Sequence, residues 1–246
     1  MSALEKAKEA AFLAGQYVAQ ESFVSADEIM QLARSGEVES GSRVLDLCCG
    51  IGGPALHLVS ETNCDLLGVD LNEASIETAR RRAQESNLRA EFLVAEVPPK
   101  LDRRFDQVMV LETVLAFRDK KSLLRSIHGL LEVHGCLLVT LEEGAPLNAR
   151  EQRRMPHSDT VWLTPLDDFL QLLNKSGFAV KALMEFTESH RLTASRLAEE
   201  YRRNAEQIGR ELGPATVSGL IESHELWSEW MENGRVRKYG IVAEKD

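Results

Sequence analysis

No run of apolar residues in this chain approaches the roughly 18 needed to cross a bilayer. The opening stretch carries the charges of Glu5-Lys6-Ala7-Lys8-Glu9, where a secretory leader would need uninterrupted apolar residues. Neither a membrane span nor a signal peptide is expected, and the cytoplasm is the expected compartment. Cysteine is scarce: Cys48, Cys49, Cys64 and Cys136 include an adjacent pair but no CxxC, so neither a disulfide framework nor a zinc site is indicated and no metal is expected. Basic residues are outnumbered, 29 Lys and Arg against 39 Asp and Glu for a net charge of −10, and the densest basic run is the three-residue Arg80-Arg81-Arg82. A surface that tracks nucleic-acid phosphates or an anionic membrane needs concentrated positive charge, so neither is an expected partner. With 7 Pro and 16 Gly in 246 residues and no internal repeat, collagen-like and low-complexity architectures are excluded as well.

What is present is an ordinary globular composition, 43% hydrophobic and 28% charged, in a chain long enough for one large domain or a domain with a cap. Leu4, Ala7, Ala11, Ala14 and Val18 recur at helical spacing and predict an amphipathic helix over residues 3–20. Ser25-Ala26-Asp27-Glu28 reads as a capping box that opens a second helix, through about Ala33. Beyond Gly41 the pattern changes to short apolar runs: Val44 to Leu47, Leu66 to Asp70, Phe92 to Val94, Gln107 to Leu111 and Cys136 to Thr140. Helical stretches alternate with them, one starting near Pro54, one after the cap residue Asn72, and one from Lys121 to Leu131. This alternation predicts a parallel sheet covered by helices on both faces.

The last hundred residues break that rhythm. A polar loop is expected from Glu142 to Val161, then a helix in which Thr164 caps, Pro165 takes the first turn and Asp167 returns the cap. Phe178 to Phe186 reads as a strand, residues 190–232 as two or more helices broken at Gly213-Pro214, and Arg235 to Glu244 as a closing strand with Tyr239, Ile241 and Ala243 on one face.

The chemistry concentrates in Arg43-Val-Leu-Asp-Leu-Cys-Cys-Gly-Ile-Gly-Gly-Pro54. Glycines directly after a buried strand let the backbone turn sharply toward a ligand, and the following helix offers unpaired amides; a tight strand-to-helix connection is the plainer reading. Asp70, ending the next strand, is placed where a carboxylate takes both hydroxyls of a ribose. Together these point to a nucleoside cofactor. The turn is not GxGxxG and has no Walker lysine, which disfavours dinucleotides and nucleoside triphosphates.

The segment Val44-Leu45-Asp46-Leu47-Cys48-Cys49-Gly50-Ile51-Gly52 resembles motif I of the class I S-adenosylmethionine-dependent methyltransferases. The resemblance continues through Gly68-Val69-Asp70-Leu71-Asn72, Ala95-Glu96-Val97, Phe105-Asp106-Gln107-Val108-Met109-Val110 and Leu130-Leu131-Glu132-Val133-His134-Gly135, covering roughly residues 40–142. Cys-Cys-Gly-Ile-Gly-Gly-Pro and the ending Gly234-Arg-Val-Arg-Lys-Tyr-Gly look more loosely like the sarcosine and dimethylglycine N-methyltransferases. The resemblance implies an α/β fold: a Rossmann-like, doubly wound, mostly parallel seven-stranded sheet with an antiparallel last strand and a helical cap. The implied organisation is an N-terminal cap segment (1–40), a cofactor-binding core (41–189), a helical cap insertion (190–233) and a final core strand (234–246).

By the same resemblance, Asp46 orders the turn and approaches the methionine amino group of S-adenosylmethionine, and Asp70 holds the ribose. Glu96 meets the adenine amine or is a solvated loop carboxylate; Leu71 and Val97 pack on the ring, and Leu111, Gly50 and Gly52 complete the cofactor site. Cys48 departs from the family's usual glycine, so it either sits at an unstrained backbone angle or narrows the space beside the methionine. Glu112, at the end of the fourth strand, lines the acceptor site or caps Thr113 to Phe117. His157 and His190 are candidate bases, and Tyr17, Phe23 and Trp162 candidate acceptor contacts, with surface or packing roles as the plainer readings. Residues 1–33, 142–163 and 190–232 are expected to form the lid.

The implied activity is methyl transfer to a small molecule by a monomer or homodimer. A sulfonium methyl is already activated and an amine needs only to arrive neutral, whereas a hydroxyl or carbon acid needs a base, and no base pair is visible along the sequence. N-methylation of an amine or amino-acid-like metabolite is therefore the leading expectation. O- or C-methylation, and cofactor binding without methyl transfer, are the alternatives.

Overall fold

The computed structural model describes residues 1–156 and 158–246, so the expectation placed on His157 lies outside the described residues. Strands β1 (Arg43–Leu47), β2 (Asp65–Asp70), β3 (Ala90–Val94), β4 (Phe105–Val110), β5 (Leu131–Glu143), β6 (Phe178–Glu185) and β7 (Arg237–Lys245) form one seven-stranded sheet in the order β3-β2-β1-β4-β5-β7-β6. All neighbours are parallel except β7, which runs antiparallel to both β5 and β6. The chain winds outward from β1 to β3, then returns to place β4 on the other side of β1. Ligands of open parallel sheets bind at the strand C-termini where the winding reverses, here between β1 and β4.

The strands are apolar on both faces because both are covered. On β1, Val44 faces a core layer shared with α2 (Ala26–Ser35), α3 (Gly53–Thr62) and α4 (Glu73–Glu85), while Leu45 and Leu47 face a layer shared with α5 (Lys120–Leu130) and α7 (Leu166–Lys175). Each fully buried leucine contributes about 1.5–3 kcal/mol relative to exposure. Tyr239, Ile241 and Ala243 lie on the second face as their spacing predicts, but Val242 is buried on the first, since β7 is an interior strand. On the first face, β5 and β7 turn polar toward the ligand end, with Thr140 and Glu142 following Leu138 on β5 and Lys238 preceding Val242 on β7.

A cap covers that end. Helix α1 (Ala3–Ala11), α8 (Thr187–Arg203), α9 (Ala205–Leu212) and α10 (Pro214–Glu232) share a cluster that includes Ala7, Phe12, Leu197, Tyr201, Ile208 and Met231. A second cluster joins Met155, Val161 and Leu163 to Leu226, Trp230 and Val236. The three segments expected to form a lid thus pack on one another.

Several local expectations are corrected. The first helix stops at Ala11 rather than continuing to residue 20. Residues 12–25 form turns, with Gly15 at φ +76° and Ala19 at φ +61°, because Phe12 packs into the cap while Val18 packs on the sheet's core, and one helical face cannot reach both. The polar stretch 142–161 contains α6 (Ala149–Arg154), capped by Asn148, and a 3₁₀ turn at Ser158–Thr160. Thr164 does not cap α7: the N-cap is Pro165 with no side-chain bond, and Thr164 instead bridges Glu143 in strand fashion. Ser25 and Glu28 do form the expected capping box, and Asn72 caps α4.

Candidate active site

The loop from β1 to α3 places Cys48, Gly50 and Gly52 at φ +61°, +52° and +77°. Glycine adopts this left-handed region freely, whereas a side chain there costs about 1 kcal/mol or more. The unstrained angle considered for Cys48 is therefore absent, and its thiol lines the cleft. Burial pushes that thiol up to about 11 despite its bond to Thr113, so it remains protonated at neutral pH. Gly53 allows close approach of a different kind: a Cβ there would fall 2.2 Å from the Val18 carbonyl oxygen, so the N-terminal segment seats directly on the start of α3.

Asp70 ties the two turns together. Its Oδ2 accepts the Gly50 N–H and its Oδ1 the Asn72 N–H, both at 2.9 Å. Asp46 is 3% exposed, receives no hydrogen bond from the described residues, and is pushed well above the usual carboxylate range by burial and by the charge of Asp70. A buried carboxylate without a donor is a fit for an ammonium group. A cleft of about 90 Å³ lies between this loop, Leu111 to Thr113 and Ala19 to Ser22, and a Cβ on Gly50 would meet nothing within 4 Å. Leu71, 69% exposed, the exposed Glu96 and the partly buried Val97, which packs on the core, do not line this cleft.

A larger cavity of about 300 Å³ adjoins the cleft, and Glu21, Ser22 and Glu112 line both. Its walls include Phe12, Phe23, Leu197, Tyr201 and Trp227 from the cap, and its polar floor is Glu112, Glu142 and Lys238 from the sheet. Glu112 follows β4 at φ +55°, and its N–H donates to Thr140 Oγ1 at 2.5 Å. Lys238 Nζ donates to Glu112 Oε2 at 3.1 Å and to Glu142 Oε1 at 3.0 Å, and lies 5.1 Å from the ring centres of both Phe23 and Trp227. Lys238 and Glu142 are cross-strand partners of β7 and β5, which explains their contact.

Burial disfavours every charge in this cluster, but the partners decide the outcome. Glu112 is held below its ordinary value by Lys238 and His190 against the cost of burial. Lys238 is held above its ordinary value by the two carboxylates. For Glu142, burial and the neighbouring Glu112 prevail over Lys238 and its value is raised. The floor thus sets a Lys238–Glu112 ion pair beside Glu142, whose carboxyl holds its proton more tightly than usual.

Of the expected acceptor contacts, Phe23 lines the cavity. Tyr17 does not: its ring packs 5.5 Å from that of Phe12 behind the wall. Trp162 does not either; it is 36% exposed with Arg118 stacked 4.8 Å over it, and it is the backbone that holds, donating to the Leu115 carbonyl and accepting from Lys120. His190 is fully buried outside both cavities, with Nε2 3.1 Å from Glu28 and Nδ1 3.5 Å from Glu112. The side chain of Glu112 caps nothing; its bonds go to Lys238 and to the Phe23 N–H. Lys238, Glu142, Trp227 and His224 line the cavity without having been singled out by sequence. The alternation Val139-Thr140-Leu141-Glu142 at the end of an otherwise apolar strand is the signal that marks one of them.

A doubly wound sheet, a glycine turn at its switch point and an acidic residue ending the next strand define a nucleoside-binding enzyme core of the Rossmann-like class. Residues 44–135 match a methyltransferase domain family. Methyltransferase GfsG of Streptomyces halstedii is 25% identical over 86% of this chain and 76% of its own length. The 27-O-demethylrifamycin SV methyltransferase of Amycolatopsis mediterranei is 25% identical over 81% of this chain and 76% of its own. The structure of Haemonchus contortus phosphoethanolamine N-methyltransferase 2 with S-adenosylhomocysteine superposes with a TM-score of 0.81 at 20% identity, covering 98% of this chain and 56% of that one. Residues 44–135 are thus a methyltransferase domain, and the chain is an S-adenosylmethionine-dependent methyltransferase. Its cofactor is S-adenosylmethionine, and the switch point has features that fit such a group: a buried carboxylate without a donor at Asp46, open space at the Gly50 turn and the carboxylate of Asp70 at the end of β2.

Proposed function

We propose that the chain methylates a hydroxyl of a small, neutral, largely apolar acceptor held in the 300 Å³ cavity. The observation that carries this reading is the place of Lys238. A cationic amine acceptor would be held between carboxylates and aromatic faces, and here the chain's own ammonium fills that position between Glu112, Glu142, Phe23 and Trp227. Lys8 likewise pairs with Glu21 at 2.5 Å on the cavity wall. The walls offer apolar surface around two neutralised charge groups, which suits an uncharged molecule. The Amycolatopsis relative, whose name denotes an O-methyl acceptor, supports the same reading.

S-adenosylmethionine supplies an activated methyl group when bound. The chain's residues hold acceptor and donor in line and keep water out: the cap clusters close the cavity, and Glu21, Ser22 and Glu112 frame the passage between the two spaces. One observation favours N-methylation as a second reading, since Glu142 Oε2 is buried without a hydrogen-bond partner among the described residues and would accept from an amine. Incubation with methyl-labelled cofactor and matched pairs of cyclic alcohols or phenols and their amine analogues separates the two by mass spectrometry. Label on oxygen is expected; label found on nitrogen alone would reverse the order of the readings.

A further inference from the structure

The hydroxyl reading needs a proton acceptor in the cavity; the carboxylates there are paired with ammonium groups, and their oxygens without a hydrogen-bond partner, Glu112 Oε1 and Glu142 Oε2, are fully buried rather than open to it. Lys8 is paired with Glu21, and Lys238 with Glu112 and Glu142. Among the described residues, His224, on α10, is the remaining titratable side chain of the wall besides Tyr201. Its ring is set between two aromatic edges, 5.6 Å from the Phe23 ring centre and 5.1 Å from that of Tyr201, both near perpendicular. Its Nδ1 lies 2.6 Å from the Leu220 carbonyl oxygen, one helical turn earlier. A carbonyl only accepts, so Nδ1 carries the proton and the neutral ring presents a bare lone pair at Nε2. That nitrogen has no hydrogen-bond partner among the described residues and is not among the fully buried unpaired atoms, so it is open to the cavity.

We infer that His224 is the catalytic base that takes the acceptor hydroxyl's proton at Nε2; the inference rests on the hydroxyl reading above. As the oxygen lone pair forms the new carbon–oxygen bond, the carbon–sulfur bond breaks and its electron pair stays on sulfur. The hydroxyl proton passes to Nε2, and the imidazolium then returns it to solvent. Phe23 joins this ring to the reacting end, since it packs against His224 and its own N–H approaches Glu112 at the junction of the two spaces. The titratable groups that line the cavity with His224 are Lys8 from α1, Glu21 from the turn, Glu112 after β4, Glu142 from β5, Tyr201 from α8 and Lys238 from β7. Burial, with Lys8 adding to it, holds the imidazole below its ordinary value against the pull of the Leu220 bond, so the base form dominates at neutral pH.

The test compares the full-length enzyme with His224→Gln and with His224→Phe, which keeps a ring between Phe23 and Tyr201 if glutamine disturbs folding. For a hydroxyl acceptor, kcat is expected to fall about 100- to 1,000-fold with acceptor KM and cofactor Kd within about threefold. The wild-type acidic limb of the kcat profile, set by a group titrating below pH 6.5, is expected to vanish in both variants. Nitrogen NMR of the labelled wild-type protein, which needs no acceptor, is expected to show Nδ1–H and bare Nε2. O-methyl product formed by a variant within about fivefold of wild type, or a proton on Nε2 at neutral pH, would overturn the inference while leaving the hydroxyl reading intact. Wild-type enzyme that methylates only nitrogen would overturn that reading, and the inference with it.

Discussion

The cofactor loop and the acceptor cavity meet at Glu112, yet they are built in opposite ways. The loop is contiguous: Asp46 through Gly52 form it, Asp70 ties it, and the two carboxylates stand in the last two positions of neighbouring strands. The cavity collects Lys8 from α1, Phe23 from a turn, Tyr201 and His224 from the cap helices, and Glu142 and Lys238 from strands far apart in sequence. The contrast extends to charge. The loop leaves a carboxylate unpaired for a ligand, whereas the cavity pairs its own. A free counter-charge suits a cationic cofactor, and a self-neutralised floor suits the neutral acceptor proposed above.

Removing the cavity's ammonium should have the largest effect. Lys238→Met leaves Glu112 and Glu142 buried without a counter-charge, and a loss of about 3–5 kcal/mol is expected in urea unfolding at pH 7. Glu112 is held below its ordinary 4.5, so the pair's contribution is present above that pH and fades as pH falls further. Glu142, held above 4.5, works the other way, its ionisation opposing the fold as pH rises from there. Wild type and variant should therefore converge in acid. A variant as stable as wild type at pH 7 would show that the cavity does not depend on self-neutralisation.

Asp70→Ala tests the loop. It releases the Gly50 and Asn72 amides and removes the carboxylate expected to take the ribose, so cofactor affinity should fall about 100-fold, or about 3 kcal/mol, by calorimetry. An unchanged Kd in a folded variant would place the nucleoside elsewhere.

Asp46→Asn separates stability from binding within the same loop. Because the folded pKa of Asp46 is raised, its ionisation opposes folding at every pH above its ordinary 3.8. The variant should melt at a higher temperature at pH 7, lose that advantage below pH 3.8, and bind cofactor about tenfold more weakly. A lower melting temperature with unchanged affinity would contradict an unpaired, ligand-facing carboxylate.

The smallest effect is expected at the loop's departure from glycine. Cys48→Gly relieves a left-handed backbone angle but frees the unfolded chain and drops the Thr113 bond, for a net gain of about 0.5 kcal/mol and a cofactor Kd within about threefold. A large loss of affinity would give the thiol a role in cofactor binding.

Much of this division is visible in how the residues read along the chain. Val44 to Asp70 is legible because strand, glycine turn, helix and second strand are local structures, and a carboxylate ending a strand keeps its place whatever lies far away. Glu112 is legible as a lining residue for the same reason of strand-end position, whereas Phe23 is marked in the sequence only as an aromatic of the lid, and packing turns it inward. Tyr17 and Trp162 mislead because an aromatic in a lid segment has two sides to face, and only packing chooses: Tyr17 turns behind Phe12, and Trp162 turns out against Arg118. His190 misleads differently, as the capping glutamate of α2 reaches across to it and makes it a tie between α2 and α8.

By itself the sequence determined the parallel sheet, the cofactor loop and the methyl donor, since these rest on short-range periodicity and on backbone angles that glycine permits locally. The tertiary structure alone decided what the acceptor cavity is. Whether Lys238 is a free cation or the partner of two carboxylates depends on the antiparallel pairing of β7 with β5, and whether His224 is a helix-surface residue or a base depends on α10 folding over the sheet. The charge of Lys238 is set by partners 96 and 126 positions away that only the fold brings within hydrogen-bonding distance, and the proton affinity of His224 is set by the burial that the folded cap imposes on it.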